Sequence, residues 1–227
     1  MKSSWFLSFL LVLLAAGCVS IKPLRINPDL SHVMHQVSPL THDASPVTSH
    51  LFKATLDIKK HHLTGLLLIK RMDSVAPTTL SQPEKGKKNE VYRIVFANEI
   101  GMTFFDLELK YDSFRVVSCF ESLNKKALIK ILETDFRLLT GIYPVQYEKV
   151  YRQTATNNQV FYAKTGRYKI WETFSPSGDT LYTTAGKSTI ADPVIISFLN
   201  YEAGFPSRIS LENPVIGLKM SLRLLKR

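Results

Sequence analysis

Residues 91–111 read VYRIVFANEIGMTFFDLELKY, and this stretch decides the fold. Large apolar side chains alternate with smaller or polar ones on both sides of residues 98–101, a pattern typical of two half-buried strands joined by a turn. One apolar face is shared by Tyr92, Ile94, Phe96, Phe105, Leu107, Leu109 and Tyr111. The stretch therefore predicts an antiparallel β-hairpin with one apolar face.

The same period of two recurs along most of the chain and predicts further strands. They cover residues 51–58, 63–70, 113–120, 159–163, 167–174, 181–184, 194–201 and 216–224. One amphipathic helix interrupts them, with Asn124 as the expected N-cap and Gly141 just beyond its last turn. We expect a mainly β protein of about nine to eleven strands, in which a strongly curved antiparallel half-barrel is covered on its concave side by one or more helices.

The N-terminus has the organisation of a secretory signal. Lys2 precedes an apolar run, Trp5–Ala15, that is too short to cross a bilayer core of about 30 Å. Ala16-Gly17-Cys18 follows and resembles the bacterial lipobox, whose cysteine is acylated, with chains such as palmitate, and becomes the mature N-terminus. We expect a signal peptide over residues 1–17 and a lipid anchor at Cys18. An ordinary signal peptide with a chance cysteine nearby is the alternative.

Residues 18–47 are interpreted as the anchor and a flexible tether, and residues 48–227 as one half-barrel domain. The tether carries four prolines and little periodicity. The formal net charge of the chain is +10. In an exported, anchored protein this charge suits anionic lipid headgroups or lipopolysaccharide better than nucleic acid, and improved solubility is the other interpretation.

No motif of the sequence points to an enzyme. The G-x-S-x-G, H-E-x-x-H and P-loop patterns are absent from it, as is the paired-cysteine spacing of a metal site. A Ser-His-Asp group would need His61 or His62. Asp106 and Glu108 lie two apart on one strand, where they are more typical of a solvated face than of hydrolysis. Cys119 lies in an apolar run and is more typical of a buried small side chain than of a nucleophile. We expect no cofactor and no metal.

The apolar strand faces, together with the apolar side of the helix, leave two interpretations open. If the curved sheet closes around them, they form an ordinary core. If it stays open, they line a cavity that accepts acyl chains. The candidate cavity residues are Ile94, Phe96, Phe105, Leu107, Leu128, Leu132, Leu218, Met220 and Leu222.

Ile100 stands at the tip of the turn over residues 98–101. Turn tips favour Gly, Asn, Asp, Ser or Pro, so a β-branched apolar residue there is unusual. It either folds back onto a neighbouring loop or projects as a tip that dips into a membrane or into the cavity of a partner.

These residues resemble the LolB family of outer-membrane lipoprotein receptors. Tyr92–Thr103 (YRIVFANEIGMT), followed by Leu107-Glu108-Leu109, is similar to the family's strand, N-P-L-G turn and strand ending in L-E-L. Phe205–Asn213 (FPSRISLEN) is similar to part of its last hairpin. The lipobox, the tether and the helix occur in matching order. Where the family has proline in the turn, this chain has Glu99.

The resemblance implies a LolA/LolB-like half-barrel whose apolar cavity receives the acyl chains of lipoproteins from a soluble, LolA-like periplasmic carrier. It also implies that the apolar turn residue, here Ile100, protrudes and promotes release into the outer membrane. Transfer of this kind requires no covalent chemistry.

We therefore expect a monomeric protein on the periplasmic face of the outer membrane, anchored through Cys18, that binds acyl chains and helps to insert lipoproteins. Val19 after the cysteine, in place of an aspartate, favours outer-membrane sorting of the enteric type. Two other classes remain open: a structural or accessory envelope lipoprotein with a filled core, and a lipid- or glycolipid-binding module without transfer activity.

Overall fold

The computed structural model describes residues 21–24, 49–73, 90–142, 147–153, 155–165, 168–177, 179–187, 193–202 and 205–226. The strands within them are β1 (Ile21–Leu24), β2 (Ser49–Ile58), β3 (His61–Asp73), β4 (Glu90–Ala97), β5 (Thr103–Lys110), β6 (Phe114–Cys119), β7 (Tyr147–Gln153), β8 (Gln159–Thr165), β9 (Tyr168–Phe174), β10 (Thr180–Lys187), β11 (Val194–Glu202), β12 (Phe205–Asn213) and β13 (Leu218–Lys226). The helix in these ranges, α1, spans Lys126–Thr140.

The strands form one antiparallel sheet in the order β1-β7-β8-β9-β10-β11-β12-β13-β2-β3-β4-β5-β6. Consecutive strands are neighbours except for β1 and β2 and for β6 and β7. β13 lies beside β2, with Leu218 opposite Ile58, and the segment containing α1 leads from β6 at one edge to β7 near the other. Among the described strands β6 and β1 do not pair with each other, so the sheet is an open half-barrel. The predicted fold class is confirmed.

The strand number exceeds the nine to eleven expected. β1 lies inside the predicted tether and pairs with β7, with Ile21 opposite Gln153. β7 was not predicted because its sequence, YEKVYRQ, buries only Val150 and does not alternate cleanly. An edge strand offers unpaired backbone groups, and β1 satisfies those of β7; its Pro23 is tolerated because β1 is itself an edge. The predicted signal peptide, Cys18 and the rest of the predicted tether lie outside the described residues.

α1 ends where the sequence predicts and begins later than predicted. Gly141 has φ 70°, the left-handed conformation that stops a helix at low cost to glycine. The N-cap position belongs to Lys125, which makes no capping hydrogen bond, rather than to Asn124. Asn124 instead belongs to the preceding turn, where its backbone N–H donates to the carbonyls of Phe120 and Glu121.

Two apolar clusters lie on the sheet. The larger one joins β2–β6 and β9–β13 to α1. Within it the ring of Phe136 on the helix packs edge-on against the ring of Phe105, with 5.7 Å between the two ring centroids. The smaller one joins β7, β8 and β9 and consists of Val150, Phe161 and Phe174, with Tyr147 packed on it. The larger cluster, beneath α1, contains the predicted cavity residues. In the described part of the chain no helix is long and apolar enough to cross a membrane.

Candidate functional site

The β4–β5 turn holds its conformation through Asn98. The side-chain oxygen of Asn98 accepts the backbone N–H of Ile100 at 3.2 Å and of Met102 at 2.8 Å. Gly101 supplies a positive φ of 89° that other residues rarely adopt. The Ile100 side chain is 89% exposed, so it projects rather than folding back onto a described loop. That it enters a membrane stays a prediction.

Other exposed apolar side chains lie at the same end of the sheet. We call this end, with the β2–β3, β4–β5 and β12–β13 turns and the end of β6, the tip edge. Val215 in the β12–β13 turn is 63% exposed, and Met102 and Phe120 are more than two-fifths exposed. Lys59 and Lys60 form the exposed β2–β3 turn. Glu99 and Glu121 are exposed there as well, so the tip edge combines apolar side chains with charges of both signs.

The candidate cavity residues come together as the sequence predicts. Eight of them are at most 3% exposed and belong to one contiguous cluster: Ile94, Phe96, Phe105, Leu107, Leu132, Leu218, Met220 and Leu222. The ninth, Leu128, is half-buried and packs against them. In this conformation the nine side chains and α1 fill the concave face together, so an acyl chain would need part of α1 to move aside.

The C-terminal half of α1 is firmly attached to the sheet. The Arg137 guanidinium donates to the carbonyls of Lys110, Tyr111 and Ser113 at 2.8, 3.1 and 3.1 Å. It also pairs with Glu133 one turn earlier at 3.0 Å. These contacts tie the helix to the β5–β6 turn, because backbone carbonyls at a turn have acceptor capacity that a guanidinium fork can use.

A buried polar pair adds a second attachment. The side-chain nitrogen of Asn213, at the end of β12, donates to both carboxyl oxygens of Asp135, at 3.0 and 3.2 Å. Asp135 is 1% exposed, and this burial raises its pKa to about 7 although the hydrogen bond from Asn213 opposes the shift. The sequence carried one signal of this pair, an acidic residue within the apolar stripe of a helix, but its partner is 78 residues away.

The N-terminal half of α1 lacks comparable attachments. Lys126, Ala127 and Lys130 are exposed, and Leu128 and Ile129 are only half-buried. Lys125 provides no side-chain cap, and an uncapped first turn leaves its N–H groups to water. This half begins only six residues after β6 ends at the tip edge (residues 120–125).

Acidic side chains of β5 lie on the outer, convex face, as predicted. Asp106 receives two hydrogen bonds of 2.6 Å from the Arg93 guanidinium. Glu108 pairs with Arg115 at 2.7 Å and Lys110 at 3.3 Å, and the Arg115 hydrogen bond contributes most to a lowered pKa of Glu108. Both carboxylates thus have cationic partners. No group of three potential metal ligands occurs in the described part of the chain.

His62 and Cys119, the remaining reactive side chains considered in the sequence, each contact neighbouring residues. His62 pairs with Asp57 on the neighbouring strand at 2.5 Å, and both side chains are at least half exposed. Cys119 packs against the larger apolar cluster, and burial raises the pKa of its thiol. A raised thiol pKa keeps the sulfur protonated and poorly nucleophilic.

Comparison of the sequence with protein families and with curated proteins finds no match. In structure the chain is similar to a DUF1329 family protein from Desulfovibrio piger ATCC 29098, whose crystal structure was determined at 1.75 Å. The two align with a TM-score of 0.49 and 11% sequence identity, over 87% of this chain and 89% of the other.

Proposed function

We propose that the protein binds acyl chains on the concave face beneath α1 and passes acylated proteins into the outer membrane at the tip edge. The observation that supports this most directly is Ile100, an apolar side chain that is 89% exposed on a turn locked by Asn98. In this proposal Cys18 carries the lipid anchor, and a LolA-like carrier delivers the cargo.

The uneven attachment of α1 provides the route for an acyl chain. The N-terminal half can lift while Arg137 and the Asp135–Asn213 pair hold the C-terminal half in place. Lifting uncovers the apolar strand faces on the side where Leu128 packs against the larger cluster. An acyl chain that replaces the helix side chains on these faces regains about 0.8 kcal/mol per buried methylene, which offsets the cost of opening.

The first test measures binding and transfer separately. A fluorescent triacylated lipopeptide is loaded onto the full chain, and its passage to liposomes is followed over time. We expect Ile100→Glu to slow transfer about tenfold or more, because a carboxylate at the tip resists the bilayer, while the amount of bound lipopeptide is unchanged. Leu199→Glu is the matched control, since Leu199 is 44% exposed on β11 and away from the tip edge.

The result decides among three classes of protein. Binding without an effect of Ile100→Glu leaves a lipid-binding module and contradicts the transfer role. A failure of the protein to bind any lipopeptide or fatty acid contradicts the proposal as a whole. That outcome would favour a structural envelope lipoprotein, a candidate supported by the close burial of eight predicted cavity residues in one core.

A further inference from the structure

Three cations lie side by side on the convex face of the sheet. Arg208 of β12 is opposite Arg223 of β13, which is in turn opposite Lys53 of β2. All three side chains are exposed. Within the described residues none of them makes an ion pair or a side-chain hydrogen bond. We call these three residues the cation row. Like charges directly opposite one another destabilise a sheet, so this arrangement has a cost in the unliganded protein.

A row of hydroxyl groups runs parallel to the cation row. It crosses five adjacent strands, and each member is directly opposite the next: Ser197, Ser210, Ser221, Thr55 and Thr64. We call it the hydroxyl row. It lies two residues along the strands from the cation row, a separation of about 7 Å on the same face of the sheet. Its side chains likewise make no hydrogen bonds to other described side chains.

The row of side chains beyond the hydroxyl row carries both acidic and basic groups, unlike the cation row. There Glu212, Lys219, Asp57 and His62 are opposite one another in turn, so that carboxylates alternate with basic side chains. Arg208 and Arg223 also line a shallow groove of about 410 Å³ on the side of the cation row away from the hydroxyl row. The groove lies where β11 ends and β12 begins, and Asn200 and Ser207 line it too. Glu202 is the one acidic residue among the described residues that line this groove.

We propose that the cation row and the hydroxyl row together bind an anionic polysaccharide. The three cations would pair with its phosphate, sulfate or carboxylate groups, since charge-assisted hydrogen bonds to such groups are among the strongest available to a surface. The serine and threonine hydroxyls can both donate to and accept from sugar hydroxyls. Leu199, opposite Arg208, and Leu66, opposite Lys53, are exposed beside the cation row and can contact the apolar faces of sugar rings. The hydroxyl row next to them suits a glycan better than a bilayer.

The proposal is independent of acyl-chain binding, because it concerns the opposite face of the sheet. Binding of an anionic ligand would also remove the repulsion among Arg208, Arg223 and Lys53, which offsets the cost of this arrangement.

The test uses the full chain in detergent and dextran sulfate as the probe, with neutral dextran and inorganic polyphosphate for comparison. The triple variant Lys53→Gln, Arg208→Gln, Arg223→Gln should bind dextran sulfate about tenfold or more weakly. The control variant Lys59→Gln, Lys60→Gln, Lys130→Gln removes the same charge from other exposed sites and should lose less than about threefold. Neutral dextran should bind far more weakly than dextran sulfate.

A second pair of variants tests the hydroxyl row. Ser221→Ala removes only the hydroxyl group and Thr55→Val replaces it by a methyl group of similar size. Together they should weaken binding of dextran sulfate but not of polyphosphate. Equal losses in the two triple variants would show a response to net charge alone and overturn the proposal. Equal binding of polyphosphate and dextran sulfate, insensitive to the hydroxyl variants, would overturn the glycan assignment, as would tight binding to anionic phospholipid vesicles alone.

Thermal unfolding separates loss of binding from loss of folding. Because the cation row is self-repulsive without ligand, its triple variant should melt no lower than the unsubstituted chain. Dextran sulfate should raise the melting temperature of the unsubstituted chain and of the control variant, and not that of the cation-row variant. A cation-row variant that dextran sulfate still stabilises to the full extent would overturn the proposal.

Discussion

The two halves of α1 differ in how the sheet holds them. The C-terminal half buries Phe136, Leu138 and Leu139 and adds the polar contacts of Asp135 and Arg137. The N-terminal half has neither a cap nor a fully buried side chain before Leu132. Both halves belong to one continuous helix, so the difference in attachment comes from the partners that the sheet offers and not from helix propensity. A helix held at one end is suited to act as a hinged cover.

The largest expected effect comes from the anchored half. Phe136→Ala should lower the free energy of unfolding by as much as about 5 kcal/mol, because it leaves a cavity beside Phe105. Leu128→Ala, in the N-terminal half, should cost only about 1 kcal/mol, since Leu128 is half-buried. Urea denaturation of the two variants measures both values. Equal losses would mean that the two halves are equally well packed.

Asp135, which contacts Asn213, makes the free energy of unfolding depend on pH. Its pKa in the folded protein is about 7, above the 3.8 of an ordinary aspartate. The folded state therefore holds a proton that the unfolded state releases, and the stability due to this group falls as pH rises from about 4 to 7. The loss is up to about 4 kcal/mol. The neutral acid can also donate to the Asn213 side-chain oxygen, which is buried without a partner among the described residues.

Asp135→Asn provides the check on this assignment. An amide keeps the shape of the side chain without the charge, so the free energy of unfolding of this variant should be nearly constant over the same pH range. Denaturation curves at intervals from pH 4 to 8 measure the slope. A variant that keeps the slope of the unsubstituted protein would assign the titration to another group.

Arg137 should have a smaller effect than Phe136. Arg137→Met preserves the aliphatic stem but leaves the carbonyls of Lys110, Tyr111 and Ser113 without their charged donor, at a cost of about 2 kcal/mol. Lys130→Met, on an exposed part of the same helix, should change stability by less than about 0.5 kcal/mol. Hydrogen exchange at residues 137–142 should rise in the first variant and stay constant in the second.

The smallest expected effect is a gain in stability. The backbone of Lys125 is already extended, with φ −108° and ψ 127°, as an N-cap requires. Lys125→Ser should therefore stabilise the protein by about 1 kcal/mol by accepting a free N–H of the first turn. Hydrogen exchange over residues 126–130 should slow, and under the proposed function fatty-acid uptake should slow with it. Faster uptake in the capped variant would argue against opening at this end.

Sequence patterns could predict those parts of the fold that depend on local chemistry. The hairpin over residues 91–111 followed from its alternation, and the end of α1 followed from Gly141, because both signals reside in neighbouring residues. The pairing of Ser197 through Thr64 into one row could not be predicted, since it requires the register of five strands. Strand β7 was not predicted because apolar and polar residues do not alternate cleanly along its sequence.

The same limit applies to the candidate site. The nine candidate cavity residues were chosen from the faces of strands and a helix, and all nine belong to one apolar cluster. Asp135 was visible as an acid among apolar neighbours, but its partner Asn213 comes from a strand distant in sequence. The N-cap was misplaced by one residue because the turn over residues 121–123 uses the backbone of Asn124. Tertiary contacts decided each of these outcomes.

The pairing of β13 with β2 has a consequence for how the protein folds. These strands lie in the middle of the sheet, yet they come from opposite ends of the domain, with Leu222 opposite Ala54. The chain between these two strands must be drawn together before they can pair, and closing so long a loop is slow. We therefore expect the central pair of β2 and β13 to form after the local hairpins on either side of it.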